Sequence, residues 1–560
     1  MQGTRRLTAD SHTVFRRFVF RVERFSARPR ITKAVYSVAL AFFFLIVITP
    51  AIAGIIAQLI TLPSLALTAE VYSRMRGAIA WSFAIGLVVS SLDVLAGVPL
   101  AWLIVRRRGR LATILDSLAD IPFVIPTVAL GFSILEFWSS PSGIAQVFAA
   151  SSLVAPGTLL IMLLHFAFSF PVIVRVMVGE FLNYRETFEV AARTLGASAF
   201  TAVRTVTLPI LRPGLLAAFL LALARSLSET GATIVVAGAF ENGTVFISNA
   251  RQAGLTAAVV IASLVLVALS LLVFAAIKIL SPRIRVAPLR VWPHLERKLS
   301  GGAVVASRNF VSLLVFLIFV LLPCLFIAFP AVQAVASGTA SEAAAGVGPW
   351  RLFWSSMLLS YVVALLATFV NIISGLPVAI LIARNRFGQR SAKIVDALVD
   401  LPIIVPSLAL GVSLNFFWSN MGALPEFWVL VLAHTTITYS YFVRAMAASI
   451  QGIAPELEEA AKTLGANPLR IFRKITLPLT KYSLLSGAIL VFTRSVDETG
   501  ATSAVSKTLK TAPILLVAWI RGTVPVTPAE RALGVGFLVA TSFLALVVLR
   551  LIAFRRNRKG

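Results

Sequence analysis

Along this chain apolar residues neither alternate with polar ones nor keep to one helical stripe. They run in long blocks separated by short basic segments. A helix that is apolar all round belongs in a bilayer or deep inside a large fold. About 20 such residues cross the hydrocarbon core. Twelve stretches reach that length: 34–60, 77–104, 112–138, 153–178, 214–238, 253–280, 309–337, 355–383, 394–418, 424–449, 483–505 and 528–553. Several exceed the minimum, which predicts tilt or interfacial ends. The expected fold class is all-α and integral to a membrane, with 12 transmembrane helices.

The blocks repeat. GVPLAWLIVRRRGRLATILDSLADIPFVIPTVALGFSILEFWSS at 97–140 is matched by GLPVAILIARNRFGQRSAKIVDALVDLPIIVPSLALGVSLNFFWSN at 375–420. FEVAARTLGASAFTAVRTVTLP at 188–209 is matched by LEEAAKTLGANPLRIFRKITLP at 457–478, and RSLSETGAT at 225–233 by RSVDETGAT at 494–502, both at an offset of 269. Each half holds six spans, an even number, so matching segments face the same side. The repeats are parallel, related by an axis along the membrane normal. The sequence divides into a basic tail (1–33), a first repeat (34–280), a polar linker (281–308), a second repeat (309–554) and a basic C-terminal tail (555–560).

Composition fits this pattern. Of 560 residues 58% are hydrophobic and 13% charged, against about a quarter charged in soluble domains. The net charge of +27 raises the possibility of nucleic acid, but its distribution argues otherwise. With the N-terminus placed in the cytoplasm, only Arg74, Arg76, Arg251, Arg351, Lys507, Lys510, Arg521 and Arg531 fall outside, and Arg225 and Arg494 fall within spans. The other 40 of the 50 basic residues lie inside. That bias is the positive-inside rule for an even number of spans with both termini cytoplasmic. The partner implied is the lipid bilayer, with no nucleic acid. Ala51-Ile-Ala53 looks like a signal-peptidase site, but a 33-residue basic lead is long for a signal peptide, and the first span is expected to be retained. One cysteine and four scattered histidines supply no metal site.

The loops after the fourth and tenth spans carry the most specific signal. Each has a short amphipathic segment, a glycine (Gly196 or Gly465), and a second segment ending in Leu-Pro. Glycine suits a helix end where φ turns positive, and proline opens the next helix without needing its backbone donor. The second copy reads Glu459-Ala460-Ala461, three residues, Gly465, nine residues, Ile475, one residue, Leu477-Pro478. This resembles the EAA loop of ABC importer permeases. The first copy has Glu189, Ala191, Ala192 and Gly196, with Val190 at the glutamate position and Val206 for the isoleucine. The resemblance covers both halves and is nearest to the fused ferric-iron and thiamine branch of binding-protein-dependent permeases.

The resemblance implies a type I ABC importer permease fold in the cytoplasmic (inner) membrane. It implies two ABC ATPase subunits docked on the loops and an extracytoplasmic solute-binding protein. It also implies ATP and Mg held by the ATPase, with no cofactor or metal on this chain. The absence of a GxxxxGK[ST] loop from the sequence agrees with a separate motor. Ferric iron is the favoured cargo, with thiamine, a phosphonate, a polyamine or an oxyanion as alternatives.

Ionisable residues inside spans mark candidate sites. Arg225 and Glu229, like Arg494 and Glu498, are four apart and are expected on one helix face. They either neutralise each other or, with Gly231 and Gly500, bring the two ETGAT segments together as a gate or cargo path. Asp93, matched by Asn371 in the other half, is a possible off-axis cargo contact. Asp120 with Pro122 and Pro126, and Asp400 with Pro402 and Pro406, predict an aspartate cap and a kink, either fixed or acting as a hinge. His165 and His434 align and are expected to make structural hydrogen bonds. An ion-coupled secondary transporter relaying through Asp93, Glu229 and Glu498 is the alternative class.

Overall fold

The computed structural model describes residues 28–61, 66–107, 109–280, 292–386, 388–422 and 424–555. Most of the N-terminal tail, the first part of the linker and nearly all of the C-terminal tail lie outside this set. Among the described residues the fold is entirely helical. Nine helices are long and apolar enough to span a membrane: Arg30–Thr61, Ala69–Arg106, Thr158–Asn183, Ala199–Ser228, Thr256–Ile277, Gly302–Ala336, Trp350–Ala383, Pro468–Val496 and Pro528–Val548. Two bent pairs raise the number to eleven. The expected span at 424–449 forms the helix Glu426–Gln451, 26 residues long. Its polar run His434-Thr-Thr-Ile-Thr-Tyr-Ser-Tyr keeps it below the composition of a lipid-facing span, and all of those hydroxyl residues except the half-buried Tyr441 are buried within the bundle.

The third span of each half departs from expectation. No single kinked helix covers 112–138. The chain turns by 105° between Arg110–Val124 and Thr127–Phe148, and by 106° between Gln389–Ile404 and Ser407–Asn420. Prolines account for the turn. Ile125 and Val405, each preceding a proline, are extended (ψ 125° and 131°), as the ring of Pro126 or Pro406 requires. Pro122 and Pro402 sit in the first turn of a four-residue helix, where no donor is missed. The spans expected at 214–238 and 483–505 also stop early. Their helices end at Ser228 and Val496, and short helices restart at Gly231 and Gly500.

The first helix of each half packs on the other half. Ser413 Oγ donates to Pro50 O (2.8 Å) and accepts from Ile55 N (3.1 Å). A β-carbon on Gly54 would lie 1.8 Å from Ser413 O, so only glycine permits this approach. The aligned contact runs the other way, Ser133 Oγ donating to Pro323 O at 2.6 Å. Rings follow suit: Phe43 stacks on Tyr439 (5.6 Å) and Phe316 on Phe170 (6.0 Å). The repeats are therefore laced together by their opening helices as well as along the axis.

Candidate functional site

At each helix break a glutamate has a local role. Glu229 is extended (φ −72°, ψ 128°), and its Oε1 accepts the backbone N–H of Ala232 at 2.9 Å. Glu498 accepts that of Ala501 at 3.0 Å. Each carboxylate thus satisfies a donor at the start of the short helix that follows. The expectation that Arg225 and Glu229 share a helix face as a pair fails: the helix ends at Ser228 and Glu229 is extended, whereas in the second half Asp497 keeps a helical backbone after Val496. Among the described residues no ion pair joins them. Arg225 Nε donates to Phe168 O (3.1 Å), and the guanidinium stacks on the Phe168 ring, 3.8 Å from its centroid. The second pair does form, Arg494 Nη2 to Glu498 Oε2 at 2.7 Å.

Two buried histidines fasten the breaks. His165 Nδ1 bonds Ser226 Oγ (2.8 Å) in the last turn before the break, and Nε2 bonds Thr233 Oγ1 (2.9 Å) just after it. His434 repeats this with Ser495 (2.8 Å) and Thr502 (2.9 Å). Imidazole suits the task because each nitrogen engages one hydroxyl, one as donor and one as acceptor.

The two breaks meet. A β-carbon on Gly231 would lie 2.2 Å from Thr499 Oγ1, and one on Gly500 would lie 3.0 Å from Thr230 Oγ1. The backbone bends join in: Asp497 accepts the N–H of Thr127, and Ser407 Oγ donates to Ser228 O at 3.2 Å. Each half's proline turn therefore rests on the other half's helix break.

This contact separates two cavities. The larger, about 730 Å³, is lined by Arg175, Arg225, Arg444 and Arg494 together with Asp400, Asp497 and apolar side chains. Arg175 and Arg444 each lie ten residues beyond the histidine of their helix towards the EAA-like loops, about 15 Å along the axis. The cavity therefore lies on the loop side. The smaller, about 150 Å³, is lined by Thr230, Gly231 and Thr499 and by residues beyond the breaks.

Arg175 and Arg444, not singled out by the sequence reading, pin the proline turns. Arg175 bonds Asp116 Oδ1 (2.8 Å), Asp116 O (2.7 Å) and the Asp120 carboxylate. Arg444 bonds Asp396 Oδ1 (2.5 Å), Asp396 O (2.7 Å) and Asp400 Oδ1 (2.6 Å). Asp120 and Asp400 therefore do not cap a helix by side chain, as expected, but hold an arginine from the next long helix. The recurrence of Arg175 at 444, and of Asp116 at 396, was the available sequence signal. Asp93 is fully buried; its Oδ2 accepts from Ser169 Oγ, and it lines neither cavity. Asn371 instead donates to Thr438 Oγ1 at 2.8 Å.

The loops form helix, turn, helix. Thr187–Thr194 and Pro455–Thr463 end at Gly196 (φ +93°) and Gly465 (φ +79°), both left-handed. The next helices are capped by Ser198 and Asn467. Ala191, Ala460, Gly196, Gly465 and Glu459 are exposed, and Ala192 and Ala461 are half-buried. Leu195 and Leu464, at the tips, are 89% and 88% exposed. Glu189 is buried, with Oε2 2.5 Å from Arg106 Nη2. Its aligned partner is Glu458, which is buried against Arg384 at 2.9 Å. The carboxylate that ties each loop to the bundle therefore precedes the EAA glutamate position by one residue.

Twin loops, twin helix breaks and a cavity between parallel repeats define a pseudo-two-fold membrane permease. Comparison with known proteins names the family. Residues 93–286 and 375–557 each match the binding-protein-dependent transport system inner membrane component, and the chain belongs to this family as a fused two-domain ABC importer permease. It is 31% identical over 233 residues to the sulfate transport system permease protein CysT of Salmonella typhimurium (38% of this chain, 83% of that protein). It is 32% identical over 203 residues to the molybdate/tungstate transport system permease protein WtpB of Thermococcus kodakarensis (36% and 78%). It is 34% identical over 192 residues to the spermidine/putrescine transport system permease protein PotC of Haemophilus influenzae (34% and 72%).

Proposed function

We propose that this chain forms the whole transmembrane pathway of an ATP-driven, binding-protein-dependent importer in the cytoplasmic membrane. It has twelve spans, both termini lie inside, and it performs no covalent chemistry. An extracytoplasmic binding protein delivers cargo. Two ATPase subunits, holding ATP and Mg, dock one on each loop around the exposed tips Leu195 and Leu464. The observation that carries this reading is the reciprocal contact of Gly231 with Thr499 and Gly500 with Thr230. It closes the pathway on the side away from the loops while a large cavity stays on the loop side. Drawing the loops together would part the two breaks. The proline turns, each resting on the opposite break, would carry that movement.

Ferric iron gains no support from the three relatives named above. Sulfate and molybdate or tungstate are oxyanions, whereas spermidine and putrescine are polycations. At this level the cargo is a small charged solute.

Reconstitution in proteoliposomes with the ATPase and binding protein tests the reading. Uptake should require ATP and the ATPase, and Gly465→Asp should uncouple hydrolysis from uptake while the chain still inserts. The glycine's φ of +79° disfavours any side chain, and the added charge falls on the docking surface. Uptake driven by a proton or sodium gradient without any ATPase would establish the secondary transporter instead.

A further inference from the structure

Four arginines line the large cavity, and three have their charge matched. Arg175 and Arg444 each hold two aspartates, and Arg494 holds Glu498. Arg225 is different. It occupies the position aligned with Arg494, yet among the described residues no carboxylate lies within ion-pair distance of it. Glu229 and Glu498 each accept a backbone N–H at their break, but only Glu498 also pairs with its arginine. A second asymmetry compounds the first. Asp497 lines the cavity in the second half, and the aligned residue in the first half is Ser228, also on the cavity wall.

The donors left to Arg225 suit one class of ligand. Its faces are taken up by aromatic rings, with Phe168 at 3.8 Å and Phe123 at 5.1 Å, and its Nε by Phe168 O. Stacking on rings leaves the edge of a guanidinium free. The four N–H donors of the two Nη atoms remain, in the planar fork that pairs with two oxygens of one anion. Glu229 and Asp497 act on this cation from a distance, but neither is in contact with it. A buried cation without a contacting partner is costly, so a tetrahedral oxyanion arriving there gains by supplying one.

We propose that Arg225 is the anion-binding residue of the cavity and that it selects a small oxyanion of the sulfate or molybdate kind over a polyamine. The inference rests on the cavity being the cargo path, and its test is independent of transport. Purified full-length chain in nanodiscs, without ATPase, is titrated with [³⁵S]sulfate, [⁹⁹Mo]molybdate and [¹⁴C]spermidine. The wild type should bind the two anions saturably in the millimolar range and spermidine not at all. Arg225→Gln should weaken anion binding roughly tenfold, the effect of losing one charge-assisted pair. Ser228→Asp keeps the arginine and copies the residue the second half already carries, so it fits the fold. It should weaken anion binding by a similar factor through neutralising Arg225. Unchanged anion binding in Ser228→Asp, or a wild type that binds spermidine and neither anion, overturns the proposal. Anion binding without ATP-dependent uptake would sink only the importer reading, and uptake without anion binding only this one.

Discussion

Gly231 and Thr499, from opposite halves of the chain, touch so closely that a β-carbon on the glycine would stand 2.2 Å from the threonine Oγ1. Gly231→Ala should force the two breaks apart, at a cost of about 1–3 kcal/mol for overpacking. With the single native cysteine, Cys324, replaced, a cysteine at Ser228 reports on the cavity. An impermeant maleimide added from the side away from the loops should label it faster in the alanine variant. An unchanged rate would show that this contact is not the barrier.

The histidine staples predict matched effects in the two halves. His165→Phe removes both hydrogen bonds to Ser226 and Thr233, and His434→Phe those to Ser495 and Thr502. Ser226 or Ser495 is then left unpaired, while Thr233 and Thr502 keep the backbone oxygens of Glu229 and Glu498, a loss of about 1–3 kcal/mol. Chemical unfolding in detergent should show similar losses for both variants. A loss in one only would mean that the symmetry of geometry is not a symmetry of energy.

Adjacent glutamates in the second loop should behave oppositely. Glu458→Ala strips the partner from Arg384, whose side chain is 10% exposed, and should destabilise the chain by about 3–5 kcal/mol. Glu459 is exposed. Glu459→Gln should therefore leave unfolding unchanged and lower only the affinity for the ATPase, measured by co-purification. The reverse ranking would return the anchoring role to the EAA position itself.

The linker helix Pro293–Leu299 is fastened to the first loop through Glu296, which accepts from Thr201 Oγ1, Arg204 and Trp292 N. The Thr201 hydroxyl, followed by the other donors, holds this carboxyl below the usual glutamate value of 4.5. A depressed folded pKa means stability that is complete above the unfolded value and is lost as pH falls through the folded one. Hydrogen-exchange protection over 293–300, taken relative to the intrinsic rate at each pH, should therefore be constant from pH 8 down to about pH 5 and fall only in stronger acid. Glu296→Gln should exchange quickly throughout. Loosening near pH 6 would point to a different titrating group.

Much of this was legible in the sequence. The apolar blocks, the doubled motifs and the Gly196 and Gly465 turns depend on local composition and backbone geometry, which each segment carries with it. The ETGAT segments were singled out because charge inside a span is costly, and they do meet. Tertiary structure alone decided the rest. Spacing placed Arg225 and Glu229 on one helix, but the chain turns extended at Glu229, and Arg225 lies against Phe168 instead. Proline pairs read as kinks because a local rule cannot know that Arg175 and Arg444 wait on a neighbouring helix to hold a right-angled turn. The exchange of opening helices, Gly54 on Ser413 and Pro323 on Ser133, was equally invisible. Apolar periodicity says that a face must be buried, whereas which surface buries it depends on shape and hydrogen bonds that exist only once both halves are folded.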